Sequence, residues 1–247
     1  MGVTRGPQYP GIEDGLIFCF DPKNPTSYKG GDKLYSTFNT AVSGSEGQNE
    51  AIIWSEALTS EGSIELDGTD DFLYVGGPGG EVQGEFDDQS FTAQAWFNPD
   101  ATSTQVIVAN WHYTAGKRSW QMKMHNAVSI NLALSPDGGY HGSNGTDYVD
   151  STYTLNSMST GTWYLITLYH DQGVEVGATV DTQAYQTTSW THGVFKHPGM
   201  QIGASNAPSN AAQEFNGKIG PVMLYNRVLS HAEVVTNYNR LKGRFGL

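Results

Sequence analysis

The stretch Ser90-Phe-Thr-Ala-Gln-Ala-Trp-Phe-Asn-Pro99 alternates between two kinds of side chain along its length. One set is entirely apolar and takes every second position: Phe91, Ala93, Ala95 and Phe97. The intervening positions hold Thr92, Gln94 and Trp96. Successive side chains of a β-strand point to opposite faces, so this alternation predicts a strand with one face in a hydrophobic core.

The same period of two recurs along the chain and predicts further strands. Residues 120–125 and 128–134 alternate in this way, whereas residues 162–170 are apolar on both faces and predict a central strand. Shorter runs predict strands at these ranges: 174–180, 200–202 and 219–225. Turn-forming residues separate the runs: Asp137-Gly-Gly, Asn144-Gly, Asp171-Gln-Gly and Asn216-Gly. Many short strands with almost no helical period indicate an all-β sandwich.

One segment near the end of the sequence predicts a helix. Ser230-His-Ala-Glu233 is a capping box, in which the serine hydroxyl and the glutamate carboxylate each satisfy a free backbone amide. Three apolar residues follow at helical spacing: Val234, Tyr238 and Leu241. Gly243 stands where a helix-terminating glycine is expected. We therefore expect one short C-terminal helix packed on the sandwich.

The 247 residues contain no internal repeat and no linker-like change of composition, which indicates a single domain. Residues 1–14 hold three glycines, two prolines and few apolar side chains. We expect them to form an N-terminal arm ahead of a domain at 15–247. Two interpretations of the arm are open: a flexible tail, or a segment that becomes ordered on a neighbouring subunit.

The charge of the chain excludes several classes of function. It has 13 Lys+Arg and 25 Asp+Glu, which gives a formal net charge of −12. This negative charge disfavours nucleic-acid partners and anionic membranes. No apolar run approaches the roughly 18 residues of a membrane span, and no secretory signal is expected at the N-terminus. The single Cys19 lies between Phe18 and Phe20, which predicts a buried thiol.

Four segments resemble laminin-G-like, concanavalin A-like jelly-roll domains of the kind common in marine bacteriophages. They occur in the order of that family, at residues 15–28, 64–75, 91–99 and 215–230. The resemblance implies a jelly-roll sandwich of two antiparallel sheets with one short C-terminal helix. Residues 34–60 depart from it, since serine, glutamate and apolar residues replace a Gly/Asn-rich turn.

The phage-like resemblance implies a non-enzymatic structural protein of a virion. The expected role is an exterior capsid decoration or cement protein, assembled in the bacterial host cytoplasm. Its partners would be other virion proteins, either the major capsid protein or tail components, and copies of itself in a homo-oligomer. The alternatives are a tail-fibre module or a stand-alone carbohydrate-binding, lectin-like module.

Glu65 and Asp67 form the sharpest catalytic candidate, with Asp70 three residues further on. Strand alternation places the first two on one side, as in jelly-roll glucanases, and a retaining glycosidase needs two carboxyl groups about 5–5.5 Å apart. The competing interpretation is that Ile64 and Leu66 face the core, Glu65 is solvated and Asp67 caps a turn. We favour this second interpretation and expect no enzyme activity.

No cofactor is expected from the sequence. The seven histidines show no metal-ligand spacing. Asp67, Asp70 and Asp71 crowd one turn and are the candidate Ca²⁺ ligands, since related jelly rolls often bind this ion through carboxylate oxygens. The alternative, which we favour, is a set of ordinary turn aspartates.

Aromatic residues in predicted loops are the candidates for binding a host-surface polysaccharide. Sugar recognition combines flat aromatic faces with planar polar groups. Both kinds occur in one predicted hairpin and two further loops: Asn110, Trp111, His112, Tyr113, Arg118, Trp120, Tyr140, His141 and Trp190. The same residues would also suit packing or a subunit interface, so both interpretations are open.

Overall fold

The computed structural model describes nine stretches of the chain: 11–24, 33–35, 50–54, 62–75, 89–113, 116–139, 149–195, 199–205 and 212–247. Within them the chain forms fifteen strands, a helix and a final 3₁₀ turn. In chain order these are β1 (Leu16–Phe20), β2 (Lys33–Tyr35), β3 (Glu50–Trp54), β4 (Ile64–Asp67), β5 (Phe72–Val75), β6 (Phe91–Pro99), β7 (Gln105–Trp111), β8 (Arg118–Asn126), β9 (Ser129–Leu134), β10 (Val149–Thr154), β11 (Tyr164–Asp171), β12 (Glu175–Val180), β13 (Gln186–Ser189), β14 (Met200–Ile202), β15 (Asn216–Tyr225), α1 (His231–Leu241) and the 3₁₀ helix Lys242–Phe245.

The strands form two antiparallel sheets. The seven-stranded sheet has the order β1-β15-β6-β11-β12-β13, with β4 also paired to β15. The eight-stranded sheet has the order β10-β9-β8-β7-β14-β5-β3-β2. The predicted all-β class with two antiparallel sheets and one short C-terminal helix is confirmed, including the central position of β11 between β6 and β12.

The main core lies between the two sheets, and one face of β6 packs in it. The four alternating apolar residues of this strand are fully buried there: Phe91, Ala93, Ala95 and Phe97. Trp96, on the opposite face, stacks at ring-centroid distances of 5.5 Å on Tyr238 and 4.5 Å on Phe245. The C-terminal segment therefore covers the outer side of the seven-stranded sheet, where the predicted buried thiol of Cys19 also lies.

The capping box at the start of α1 is confirmed. Ser230 accepts from the Glu233 amide, and the Glu233 carboxylate accepts from the Ser230 amide. The same carboxylate forms an ion pair of 2.7 Å with Arg227, which lowers the pKa of Glu233 to about 2. None of the described helices has the length and apolarity needed to cross a membrane.

The structure differs from the sequence prediction at two glycine positions. The α-helix ends at Leu241 with Lys242 as its C-cap, so Gly243 takes the predicted position just after the helix, but the chain continues as a 3₁₀ turn that brings Phe245 onto Trp96, and the left-handed residue is Gly246. Asn216-Gly217 is not a hairpin turn but the start of β15, where it pairs with β4. Gly217 is required there, since a Cβ atom would lie 2.2 Å from the carbonyl oxygen of Asn98. The Asn144-Gly turn lies outside the described residues.

The described part of the predicted arm packs on its own chain. The Ile12 amide donates to Asn237 of α1 at 2.7 Å, and the Ile12 carbonyl accepts from the Tyr225 hydroxyl at 3.1 Å. Arg227 forms an ion pair of 2.9 Å with Asp14. Residues 11–14 are therefore bound to the C-terminal region of the same molecule. The predicted docking of the arm on a neighbour applies only to residues 1–10, which lie outside the described residues.

Candidate functional site

The side of the eight-stranded sheet that faces away from the main core is polar and yet buried. Along β8 the inward residues are apolar and belong to the core: Trp120, Met122 and Met124. The outward residues Ser119, Gln121 and Lys123 are 0%, 2% and 9% exposed. We call the outward side of β7, β8, β9, β10 and β14 the polar face. Burial of so many polar groups is unusual unless they have partners.

Strand register lines up a row of residues across the polar face. Gln201 pairs with Ala109, Ala109 with Gln121, Gln121 with Ala133, and Ala133 with Asp150. An alanine thus flanks Gln121 on each side, and directly opposed residues of paired strands are near neighbours. The small alanine side chains leave space beside the Gln121 amide.

A cavity of about 270 Å³ opens over this row. Its lining combines two aromatic side chains with three charged and two amide side chains: Trp111, Tyr113, Arg118, Gln121, Lys123, Asp150 and Gln213. β7 and β8 supply most of these groups, because the two strands are paired along the full length of their hairpin. A concave surface with several convergent polar groups is the usual form of a small-molecule site.

Several buried oxygen atoms of the polar face have no hydrogen-bond partner. These are Ser119 Oγ, Gln121 Oε1, Asn131 Oδ1 and Gln201 Oε1. They come from β8, β9 and β14, and all four belong to residues that are at most 5% exposed. An unsatisfied buried acceptor costs about 1–3 kcal/mol, so their concentration on one face calls for a molecule that donates hydrogen bonds.

The rim of the cavity is held by contacts within the β7–β8 hairpin and with the segment before β15. Tyr113 is 39% exposed and donates from its hydroxyl to Gln213 Oε1 at 3.0 Å. Arg118 Nη2 donates to the Tyr113 carbonyl. Trp111 is 1% exposed and packs with Val106 and other apolar residues of the polar face. The rim therefore offers an aromatic edge that is fixed in place.

Burial and neighbouring charge both act on the ionisable groups of the site. Burial lowers the pKa of Lys123, and the carboxylate of Asp150 opposes this shift. Burial also lowers the pKa of His112, and the cations Lys117 and Arg118 lower it further. The end of the β7–β8 hairpin is thus electropositive within an acidic chain.

The structure brings only part of the predicted glycan-binding set to the cavity. Trp111, Tyr113 and Arg118 line it, and His112 lies beside them, partly buried. Three residues of the predicted set are buried and do not line the cavity, in line with the packing interpretation: Asn110, Trp120 and Trp190. Trp120 and Trp190 fill the main core, and Asn110 is fully buried opposite Trp120 in the register of β7 and β8. Tyr140 and His141 lie outside the described residues.

Four cavity residues were not predicted from the sequence: Gln121, Lys123, Asp150 and Gln213. The alternation along β8 does place Gln121 and Lys123 on the side opposite Trp120. That pattern is equally typical of a solvated strand face, so it carries no sign of burial.

The aspartates considered as calcium ligands form a turn. The carboxylate oxygens of Asp67, Asp70 and Asp71 lie within 4.8 Å of one another. Asp67 Oδ1 accepts from the Thr69 amide at 2.7 Å, and Asp71 Oδ2 accepts from the Asp67 amide at 3.1 Å. These bonds are those of ordinary turn aspartates. Calcium binding, the less favoured interpretation of these residues, stays untested.

Glu65 and Asp67 are exposed on β4, whereas Ile64 and Leu66 are buried in the core. This agrees with the interpretation that Asp67 caps the turn and Glu65 is solvated. Glu65 pairs in register with Lys218 of β15, on a different sheet from the cavity. The carboxyl pair considered for glycoside hydrolysis is therefore separate from the polar face.

Comparison with known families identifies the fold. A family model described as the concanavalin A-like lectin/glucanases superfamily (Laminin_G_3) matches residues 67–235. The chain belongs to this superfamily. The match covers the strands that build both the core and the polar face, so the jelly-roll sandwich inferred above is the superfamily fold. No curated protein sequence matches the chain.

Solved structures show the same superfamily fold at low sequence identity. The binding domain of botulinum neurotoxin serotype D has a TM-score of 0.63 and 13% identity, covering 92% of this chain and 52% of that one. The binding domain of botulinum neurotoxin DC, solved in complex with SialylT, has a TM-score of 0.62 and 12% identity over 92% and 52%. A native heptameric SAP-like pentraxin from Limulus polyphemus has a TM-score of 0.54 and 14% identity over 71% and 81%. The chain spans about half the length of the neurotoxin domains.

Proposed function

We propose that this domain is a non-enzymatic carbohydrate-binding module and that the cavity on the polar face is its binding site. The observation that carries the proposal is the group of buried oxygen acceptors without partners on the polar face, of which Gln121 lines the cavity. A saccharide presents many hydroxyl groups, each able to donate one hydrogen bond and to accept others. Such a ligand matches a face rich in unsatisfied acceptors.

The remaining groups of the cavity suit the same ligand. Planar amide and guanidinium groups of Gln121, Gln213 and Arg118 have the geometry to contact adjacent hydroxyls. The exposed edge of Tyr113 provides an apolar surface for the C–H groups of a sugar ring. A volume of about 270 Å³ accommodates one or two sugar rings, at the lower limit of small-molecule sites.

A binding role fits the cavity better than hydrolysis. Both classes of glycosidase use two carboxyl groups on either side of the scissile bond, about 5–9.5 Å apart. Asp150 is the one carboxylate among the described residues that line the cavity. Two of the similar structures are of a botulinum neurotoxin DC binding domain, one in complex with SialylT and one in complex with rat synaptotagmin II, and this supports a binding role.

A second proposal concerns where the module acts. The resemblance of four segments, in order, to phage jelly-roll domains supports a place on a virion, as a capsid decoration protein or a tail-fibre module, with the polar face directed outward. The heptameric pentraxin supports self-association of a chain with this fold. Electron cryo-microscopy of particles from the source tests this: density for the fold at regular capsid or tail positions is expected, and particles without it would contradict the virion role.

Glycan binding is tested by an array followed by calorimetric titration of the best ligand. The variant Gln121→Met keeps side-chain length but removes the amide at the floor of the cavity, and we expect affinity to fall about tenfold. The matched control is Gln172→Met, at an exposed position between β11 and β12, which should bind like the unchanged protein. Equal binding by all three proteins would place the site elsewhere.

A further inference from the structure

The described charges that line the cavity differ in sign from the chain as a whole. Among the described lining residues, Arg118 and Lys123 are cations and Asp150 is the one carboxylate. The chain carries only 13 basic residues against 25 acidic ones. Lys117 adds a further cation close enough to lower the pKa of His112. A positive site in an acidic protein attracts an anion locally while the rest of the surface repels it.

Lys123 is the least expected of these cations, because its side chain is only 9% exposed. The described ion pairs join Arg227 to Asp14 and Glu233, and Arg244 to Asp21, and none of them includes Lys123. A lysine that is buried to this extent normally has an anionic partner. Asp150 is near enough to oppose the lowered pKa of Lys123, but none of the ion pairs described for this chain joins the two.

The Asp150 carboxylate is only partly available as an anionic partner of Lys123. Its Oδ1 accepts from the Asn131 side-chain amide, and Asn131 is the cross-strand neighbour of Lys123. In the strand register Asn131 lies between Lys123 of β8 and Thr152 of β10, and its side-chain amide reaches Asp150, two residues before Thr152. Asn131 Oδ1 is itself buried and without a partner. A ligand that reaches Lys123 would meet an acceptor beside it as well as a cation.

We propose that the cavity selects saccharides that carry a carboxylate, with Lys123 and Arg118 as the groups that bind it. Gln121 Oε1, which lines the same cavity, accepts from a hydroxyl of the same sugar ring. This proposal rests on the proposed carbohydrate-binding function and adds the chemical class of the ligand. A hydrogen bond from a buried ammonium group to a carboxylate is stronger than one between neutral groups, so it discriminates acidic from neutral sugars.

The test compares each acidic ligand with its own neutral form. The probes are hexasaccharides of galacturonate, glucuronate and mannuronate, each titrated as the free acid and as the methyl ester. The unchanged protein should bind at least one free acid about tenfold more tightly than its ester, and added salt should reduce the difference. A sulfated hexagalactan without carboxylates separates carboxylate recognition from general attraction to anions, and it should bind more weakly.

Variants identify the group responsible. Lys123→Met retains the length and apolar stem of the side chain, and it should reduce the acid-to-ester ratio to less than about threefold while esters still bind. Lys218→Met makes the same change of charge on the other sheet and should keep the full ratio. Should Lys123→Met fail to fold, Arg118→Gln serves at the rim of the cavity, with the same expected fall in the ratio.

The outcomes separate this proposal from the one on which it rests. Esters or neutral sugars that bind in the cavity as tightly as the acids would overturn the carboxylate preference and leave carbohydrate binding intact. Preference for the sulfated galactan would overturn carboxylate recognition in favour of general anion binding. Absence of binding to every array glycan and every hexasaccharide would overturn both proposals.

Discussion

Replacing Asp181 by asparagine should stabilise the fold at neutral pH but not at pH 4. Asp181 follows β12 with a φ of 55°, in the left-handed region, and its Oδ1 accepts from the Leu165 amide at 2.8 Å. Burial raises the pKa of Asp181 to about 6, and the bond from Leu165 offsets part of that shift. The protein thus buries a carboxylate that is costly to ionise.

The pKa gives the magnitude and the pH range of the effect. The folded protein holds the proton on Asp181 more tightly than the unfolded chain, so stability falls as the pH rises from about 4 to about 6. A shift of about two units corresponds to about 3 kcal/mol at most. Because Asp181 is only partly buried, solvent reduces this figure, and we expect about 1–2 kcal/mol.

Asparagine removes the charge and retains the local structure. Its amide oxygen can still accept from Leu165, and asparagine tolerates a left-handed backbone at least as well as aspartate does. Asp181→Asn should therefore exceed the unchanged protein in free energy of unfolding by about 1–2 kcal/mol above pH 6. The difference should shrink towards zero near pH 4.

Urea denaturation between pH 4 and pH 8 measures this difference directly. The matched control is Asp100→Asn at an exposed carboxylate, which should show no such pH-dependent gain. A gain for Asp181→Asn that is the same at every pH would assign the effect to the backbone instead of the charge. No gain at neutral pH would refute the reasoning.

Two further substitutions test the packing of the sandwich and its helix. Glu233→Gln should lower the free energy of unfolding by about 1 kcal/mol near pH 7, because the lowered pKa of Glu233 stabilises the fold above about pH 4.5. This contribution is lost as the pH falls from about 4.5 to about 2, so denaturation should show a smaller difference at pH 3 than at pH 7. Gly203→Ala should lower the free energy of unfolding by about 2–4 kcal/mol, because Gly203 has a φ of +84° and a Cβ atom there would lie 2.2 Å from Leu66 Cδ1. Thermal unfolding measures this loss, with Gly243→Ala as the control, because a Cβ atom at Gly243 would meet nothing within 4 Å. Equal losses of stability in the two variants would contradict this account.

Local patterns predicted the parts of the fold that depend on neighbouring residues. The alternation of β6 placed Phe91 and Phe97 in the core, and the capping box placed the start of α1 at Ser230. The Asp171-Gln-Gly turn was also correct, since it joins β11 to β12 with Gly173 at a φ of 75°. In each case the deciding contacts lie within a few residues along the chain.

The candidate site could not be predicted in the same way. Trp111 and Trp120 are close in sequence, and one of the two open interpretations placed them together on a ligand-binding surface of the hairpin. They lie on opposite sides of the sheet, because Trp120 occupies a core position of the β8 alternation and Trp111 packs on the polar face. The alternation along the strand predicts the side of the sheet on which a residue lies, whereas closeness in sequence does not.

The cavity depends on register between distant strands. Asp150 reaches it through pairing with Ala133, and Gln213 reaches it from the segment before β15. No local pattern specifies such pairings, and none reveals that the outward residues of β8 are buried. Gln121 and Lys123 were therefore indistinguishable in the sequence from ordinary solvated strand residues.

The most direct test of carbohydrate binding at the polar face is chemical-shift mapping of the ¹⁵N-labelled protein during titration with its best array ligand. The side-chain amide signals of Gln121, Gln201 and Gln213 should shift together with backbone signals of β7 and β8. Signals of the turn around Asp70 should stay unchanged. Shifts confined to that turn or to α1, or no shift with any array glycan, would contradict the account.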